Sequence, residues 1–425
     1  MPRGTDRKAA VPGQRAATDD AVWPDVVRLP RTSRARSAAA GLLVRRAFAQ
    51  LPLTVQWGQT PPSGAGPLLR VLDPEAFVRR IGAEGLIGFG ESYMAGEWQA
   101  DDLVGVLTVL ASHVDDLVPA ALRRLRGLWV RRRPEAQRNT VTGSRANIRR
   151  HYDLSNDMFA LFLDPTMSYS SAVFSAFPAS GRTFAAAQHR KIDRLLDLAG
   201  VGPGTRLLEI GTGWGELALR AAARGARVLT VTLSAEQRHL AMTRLHDAGV
   251  AERVTVDLCD YRQVTGTYDA VVSVEMIEAV GAAYWPVYFA TLRQRLAPEG
   301  RIALQAITMP HERMLATARS HTWISKYIFP GGLIPSTRAI EEESARAGLR
   351  VVSDDSYGEH YAETLRLWRE RFQRQAHRVE ALGFDTTFRR MWQLYLAYSE
   401  AGFRARYLDV HQLLLTRTTT GNGSR

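Results

Sequence analysis

The chain has 425 residues, 45% hydrophobic and 23% charged, with a formal net charge of +12. This is the make-up of an ordinary globular protein, long enough for two or three domains with their own cores. A single cysteine, Cys259, excludes an internal disulfide and a cysteine-based zinc site, and no apolar run approaches the ~20 residues of a membrane span. The basic balance asks for a polyanionic surface, either nucleic acid or an anionic membrane. With no apolar signal core behind the basic N-terminus, a cytoplasmic location is expected.

Residues 1–33 are rich in Arg, Pro, Ala and Asp without apolar periodicity and read as a disordered basic tail. Leu42, Leu43, Arg45, Arg46 and Phe48 predict a basic amphipathic helix over 34–50, packed on its own domain or lying on a membrane surface. Strands are predicted at 53–57 and 68–72 around a Pro/Gly-rich turn, followed by a helix from Pro74 to Arg80. The glycine-interrupted segment from Gly85 to Trp98 reads as a tight packing element of strand, loop and helix, and 101–117 as a helix. Together these make a small α+β domain over 34–120. An arginine-rich linker, 121–144, reads equally as a solvated connector or a phosphate-binding surface.

The large domain, 145–425, opens on a mixture of aromatics, carboxylates and hydroxyls from His151 to Phe174, then a helix over 188–199. Strands are predicted at 207–210, 227–233, 254–259, 268–274 and 301–307, with helices at 235–248 and 285–296 between them. A helix at 339–347 and a late strand at 349–353 follow an insertion over 311–337. Residues 361 to about 412 read as helical and strongly aromatic. Strand–helix alternation at this spacing means a doubly wound, mostly parallel α/β sheet with ligands at the carboxyl ends of its strands.

Glu209 closes the first of those strands, and Gly211, Gly213 and Gly215 make the turn into a helix. The spacing G-x-G-x-G departs from the dinucleotide fingerprint G-x-G-x-x-G. An acid ahead of the turn suits a cationic amino-acid ligand, and S-adenosylmethionine (SAM), with its ammonium and sulfonium, is that kind of ligand. Thr232, Leu233 and Gln237 lie where SAM enzymes meet the ribose hydroxyls. Asp260 is expected to accept from the adenine amino group while Tyr261 stacks on the ring. Glu275 and Glu278 come beyond the fourth strand, where a methyl group would be handed over.

The blocks His151–Asp157, Leu163–Ser170, Glu209–Gly215, Thr232–Gln237, Lys326–Gly332 and His360–Leu365 resemble the cyclopropane-fatty-acyl-phospholipid synthase family over roughly 145–415. Gly90–Trp98 looks like the N-terminal domain of its longer members. The chain is most similar to the actinobacterial 10-methylstearate (tuberculostearate) type fatty-acid methyltransferases. The resemblance implies a class I SAM-dependent methyltransferase with a seven-stranded sheet, a helical lipid-binding insertion and an acyl-chain tunnel. It adds Tyr169, Ser170 and Trp214 to the cofactor site. The implied reaction moves the SAM methyl to a cis double bond of an unsaturated phospholipid acyl chain, through a carbocation. In the cyclopropane synthases a bound bicarbonate is the base, and its cage falls here on Glu278, Tyr361, Ser171 and Gln305, with Ser171 at the cysteine position and Gln305 at the histidine position. Half the cage is altered, which favours a hydride shift and a 10-methylene product over ring closure; a cyclopropane synthase is the alternative.

The resemblance further implies a protein peripheral on the inner face of an anionic membrane, a separate reductase acting on its product, and no metal. A homo-oligomer is left open. An RNA methyltransferase is disfavoured because no stacking aromatics interleave with the arginines, and a non-catalytic lipid binder because Glu209, Gly211, Gly213, Glu278 and Tyr361 are all present.

Overall fold

A computed structural model describes residues 22–114, 155–318 and 320–418. The linker at 121–144 and the first four residues of the His151–Asp157 block lie outside these ranges.

Short apolar runs make the strands of the main sheet: β5 (Arg206–Ile210), β6 (Arg227–Thr232), β7 (Val254–Leu258), β8 (Tyr268–Val274) and β9 (Leu296–Thr308). They are preceded in the chain by four shorter strands, β1 (Thr54–Trp57), β2 (Ser63–Gly64), β3 (Leu68–Val71) and β4 (Trp98–Ala100), which form a separate sheet in the order β2-β1-β3-β4. β10 (Leu349–Ser356) and β11 (Asp409–Arg417) complete a seven-stranded sheet, β10-β11-β9-β8-β5-β6-β7. β5 pairs in parallel with β6 on one side and β8 on the other. The chain thus reverses its direction of sheet growth at β5, so the turn after Ile210 opens into the crevice where α/β sheets bind ligands.

The sheet departs from the sequence-based expectation at its last strand. Residues 409–417 were expected to lie partly in a helix reaching about Gln412; they form β11, antiparallel to both β9 and β10. Helix ends at Arg404, and Val410, Gln412, Leu413 and Leu415 are buried. A three-leucine run beside long aromatic helices carries no periodicity that separates a buried strand from a helix. His411 ties this strand in place, with Nδ1 2.6 Å from Asp354 on β10 and Nε2 3.4 Å from Asp409.

Two further corrections concern the N-terminal half. The expected tail, 1–33, is not free in its last third. Trp23 donates to Asp385 at 2.9 Å, and the buried Arg80 guanidinium holds the carbonyls of Asp25 and Val26 while pairing with buried Glu97. Nor does the small unit keep a core of its own. Leu53, Leu69, Phe77 and Trp98 belong to one apolar cluster with Phe159, Trp368, Trp392 and Phe403 of the large domain. The segment Gly85–Trp98 does pack tightly, as a helix Leu86–Met94 leading into β4. A Cβ on Gly90 would come within 2.3 Å of Trp323, so the glycine is what lets the insertion reach the small unit. Trp323 and Tyr327 of that insertion face Met94 and Glu91.

Burial alone would lower the His411 pKa, but the hydrogen bonds and charges of Asp354 and Asp409 raise it to about 9. Its stabilising contribution is then fully present below the unfolded value near 6.5 and is lost as pH rises through 9. The melting temperature of the wild type should fall more between pH 7 and pH 10 than that of His411→Gln. Equal falls would remove His411 from this role.

Candidate active site

The turn after β5 is built for close approach to a ligand. Gly211, Gly213 and Gly215 all take positive φ, at 102°, 52° and 90°, which side-chain-bearing residues adopt only at a cost. A Cβ on Gly211 would lie 2.8 Å from Met276, whereas nothing lies within 4 Å of one on Gly213. The cradle is thus closed on one side and open on the other. Gly215 caps the helix Glu216–Ala223, whose first amides face the crevice.

The cavity over this turn is lined by Tyr169, Ser170, Glu209, Gly211, Gly213, Trp214, Thr232, Leu233, Gln237 and Tyr261, all expected from sequence. Glu209 is buried. Burial pushes its carboxyl up to about 8, against a hydrogen bond from Thr230 and the charge of Lys191. Its Oε2 has no hydrogen-bond partner among the described residues, so a cationic ligand group there would complete it. Thr232 donates to Gln237 at 2.8 Å, and Ser234 caps the next helix through the Gln237 amide, which sets the far wall. Trp214 is fixed by a 2.7 Å bond to Asn156 and packs on Phe159. The residues present fit SAM.

Asp260 departs from expectation. Its oxygens are bound to the Arg262 guanidinium at 2.8 and 2.6 Å, and it is Cys259 and Tyr261 on either side of it that line the cavity. Tyr261 lines the cavity and packs edge-on against Tyr288 with ring centroids 5.6 Å apart.

Deeper in, Ser171, Gln305 and Tyr361 come together, as expected, but around a different carboxylate. Glu275 Oε1 accepts from the Ser171 backbone amide at 2.9 Å and from Gln305 Nε2 at 2.8 Å, and Oε2 accepts from the Tyr361 hydroxyl at 2.6 Å. Ser171 thus contributes its N–H, while its hydroxyl is spent on the Ala172 carbonyl. Glu278, expected in this cage, sits in the short helix Ile277–Val280 and accepts from the Ile307 amide. Burial, and then the nearby Glu275 charge, push the Glu278 carboxyl up to about 8. Because Glu275 already takes the donors of Ser171, Gln305 and Tyr361, the residues present do not fit a bicarbonate in that seat.

Two participants escaped the sequence reading. Lys191 lies fully buried on the apolar face of the helix Phe184–Leu198 and donates to Ser170 Oγ at 2.7 Å. Burial lowers its pKa to about 8, against the charges of Glu275, Asp164 and Glu209. A lysine in step with Gln188, Ile192 and Leu195 was the available signal. Gln412, on β11, donates to Gln305 Oε1 at 3.0 Å and so fixes which face of that amide meets Glu275; no signal for it exists without knowing the strand.

A doubly wound sheet with an acid and three glycines at its switch point defines a class I SAM-dependent methyltransferase. Residues 139–413 match the mycolic acid cyclopropane synthetase family. Tuberculostearic acid methyltransferase UfaA1 of Mycobacterium tuberculosis is 56% identical over 413 residues, 95% of this chain and 97% of the relative. Cyclopropane-fatty-acyl-phospholipid synthase of Escherichia coli K12 is 34% identical over 84% of this chain and 89% of its own. The solved cyclopropane synthase MmaA2 from Mycobacterium tuberculosis superposes with a TM-score of 0.59 at 32% identity, covering 64% of this chain and 98% of that one. The mycolic acid cyclopropane synthase CmaA1, solved with S-adenosylhomocysteine (SAH) and CTAB, gives 0.59 at 30% identity, covering 67% and 99%. The chain belongs to this family and is a SAM-dependent enzyme.

If Glu209 accepts from the SAM ammonium, Glu209→Gln removes a buried charge-assisted hydrogen bond worth about 1.5–3 kcal/mol. Calorimetry should show SAM and SAH, which share the ammonium, each bound roughly 10- to 100-fold more weakly. A change under about threefold would take Glu209 out of ammonium recognition.

Proposed function

We propose that the enzyme methylates the cis double bond of an unsaturated, oleoyl-type phospholipid acyl chain and releases a 10-methylene chain. When bound, SAM supplies an electrophilic methyl. An alkene is a weak nucleophile, so the protein must hold it in line and shield the carbocation that follows. The observation that carries this reading is the aromatic wall beside the cofactor cavity. Tyr169 shares a 2.6 Å hydroxyl contact with Tyr395 and lies 5.2 Å from Trp368, which in turn meets Tyr361 at 6.1 Å, itself 4.6 Å from Phe403. Ring faces stabilise a cation without bonding to it. Tyr361 links these rings to the Glu275 carboxylate by a 2.6 Å hydrogen bond, which supports a proton acceptor beside them.

A methylene chain and a cyclopropane chain from the same acyl group are isomers of equal mass, so mass alone does not separate them. Lipids from a host making this protein and supplying oleoyl phospholipid should show vinylidene proton resonances and cleavage by ozone. A ring that resists ozone would establish the cyclopropane reading, which the shared family makes the second choice.

The membrane is the expected source of the substrate. No described helix is long and apolar enough to cross it. The helix Arg34–Ala49 leaves Leu42 71% and Leu43 41% exposed beside Arg45 and Arg46, a composition suited to an anionic leaflet. A methylene product keeps one double bond, so a separate hydride-donating reductase must consume it on the way to a methyl branch. Sedimentation with phosphatidylglycerol vesicles should show binding that falls steeply between 50 and 500 mM salt, as screening requires; salt-independent binding would exclude an electrostatic dock.

A further inference from the structure

We propose that Glu275 is the general base of the reaction, a carboxylate of the chain itself standing where the family resemblance calls for bicarbonate. The inference rests on the methyl-transfer reading above and names the group that ends the carbocation.

Glu275 follows β8 directly and lines the cofactor cavity beside Met276. Its φ of 51° places a non-glycine residue in the left-handed region, a conformation that persists only where surrounding structure enforces it. Here the enforcement is visible: its amide donates to the Gln305 carbonyl at 2.7 Å, and its carboxyl receives three hydrogen bonds. Two of those donors, the Ser171 amide and the Gln305 NH₂, cannot accept in return. Gln412 locks the Gln305 amide in the donating orientation. Burial raises the Glu275 carboxyl above its ordinary value, and the three hydrogen bonds and the Lys191 charge oppose that rise by favouring the ionised form. Glu278 accepts from the Ile307 amide, against three donors for Glu275, and the Glu275 charge raises it further.

A carboxylate and a bicarbonate present the same O–C–O edge and the same charge. The chain has therefore filled the anion's seat covalently. In the reaction, the alkene π pair forms the carbon–carbon bond to the methyl, the carbon–sulfur bond breaks, and its pair remains on sulfur. A hydride then moves from the methylated carbon to its cationic neighbour. Glu275 takes a proton from the added methyl, the carbon–hydrogen pair becomes the exocyclic double bond, and the neutral carboxyl returns the proton to solvent after product release. Three donors on its two oxygens also blunt the carboxylate as a nucleophile, so it removes a proton without trapping the cation as an ester.

The test compares the wild type, Glu275→Gln and Glu275→Gly in carbon-dioxide-free buffer, with and without 10 mM bicarbonate, following SAH release with oleoyl phospholipid vesicles. The glycine variant suits the positive φ and should fold. The wild type should be indifferent to bicarbonate, and the glutamine variant should lose roughly 10²–10⁴-fold of its rate with no rescue, because its amide still fills the seat. The glycine variant should lose as much and regain at least tenfold with bicarbonate. Line-broadening of ¹³C-bicarbonate, measured without lipid, should reveal binding to the glycine variant and none to the wild type. Bicarbonate dependence or binding in the wild type, or a glutamine variant within tenfold of it, would overturn the assignment. Vesicles left unmethylated by the wild type would instead count against the proposed substrate, and the binding measurement would still decide the seat.

Discussion

Charge taken out of water survives only where donors or opposite charges replace the solvent. The centre of this protein buries Glu209 and Glu275 within reach of the Lys191 ammonium, with Glu278 beside Glu275. Much of the architecture answers that requirement. The helix Phe184–Leu198 brings Lys191 beneath the strand ends, β9 supplies Gln305, and β11 supplies the glutamine that orients it. The three carboxyls are not equivalent, because their donor counts differ. Glu275 is fully dressed, while Glu209 and Glu278 each keep an oxygen without a partner among the described residues. One fold thus holds carboxyls suited to binding a cation, accepting a proton and staying neutral.

Much of this was legible in the sequence. The parallel strands announce themselves as apolar runs punctuated by glycine, and the acid–glycine turn identifies the cofactor class before any comparison. Recognition of separate blocks placed Ser171, Gln305 and Tyr361 together. Which carboxylate they surround was not legible. Glu275 and Glu278 stand three residues apart after the same strand, and nothing in the sequence shows that Glu275 takes a positive φ and meets Gln305. Asp260 looked free because nothing in a linear sequence shows Arg262 folding back on it. Gln412 was hidden by the strand that carries it.

The N-terminal unit is best understood as part of the wall of the large domain. Its apolar residues complete the cluster that also holds Trp368 and Trp392, and Glu91 receives both Lys326 and Tyr327 of the insertion. Gly90 sets how near Trp323 of the insertion can come to this unit. Sequence composition alone suggested two domains joined by an arginine-rich linker because it registers where a chain changes character and is blind to where cores merge.

The position of β11 has a consequence for how the enzyme comes into being. Among the described residues it is the last strand in chain order, yet it lies inside the sheet, between β9 and β10. Until it has been synthesised and threaded into place, β9 and β10 have no shared neighbour, and the edge of β9 presents unpaired backbone groups. Gln305 likewise has no Gln412 to hold its amide. Because the ribosome makes chains from the N-terminus, a nascent molecule could assemble the cofactor cradle well before it could orient the groups around Glu275. Maturation would then install the power to bind the methyl donor ahead of the power to use it.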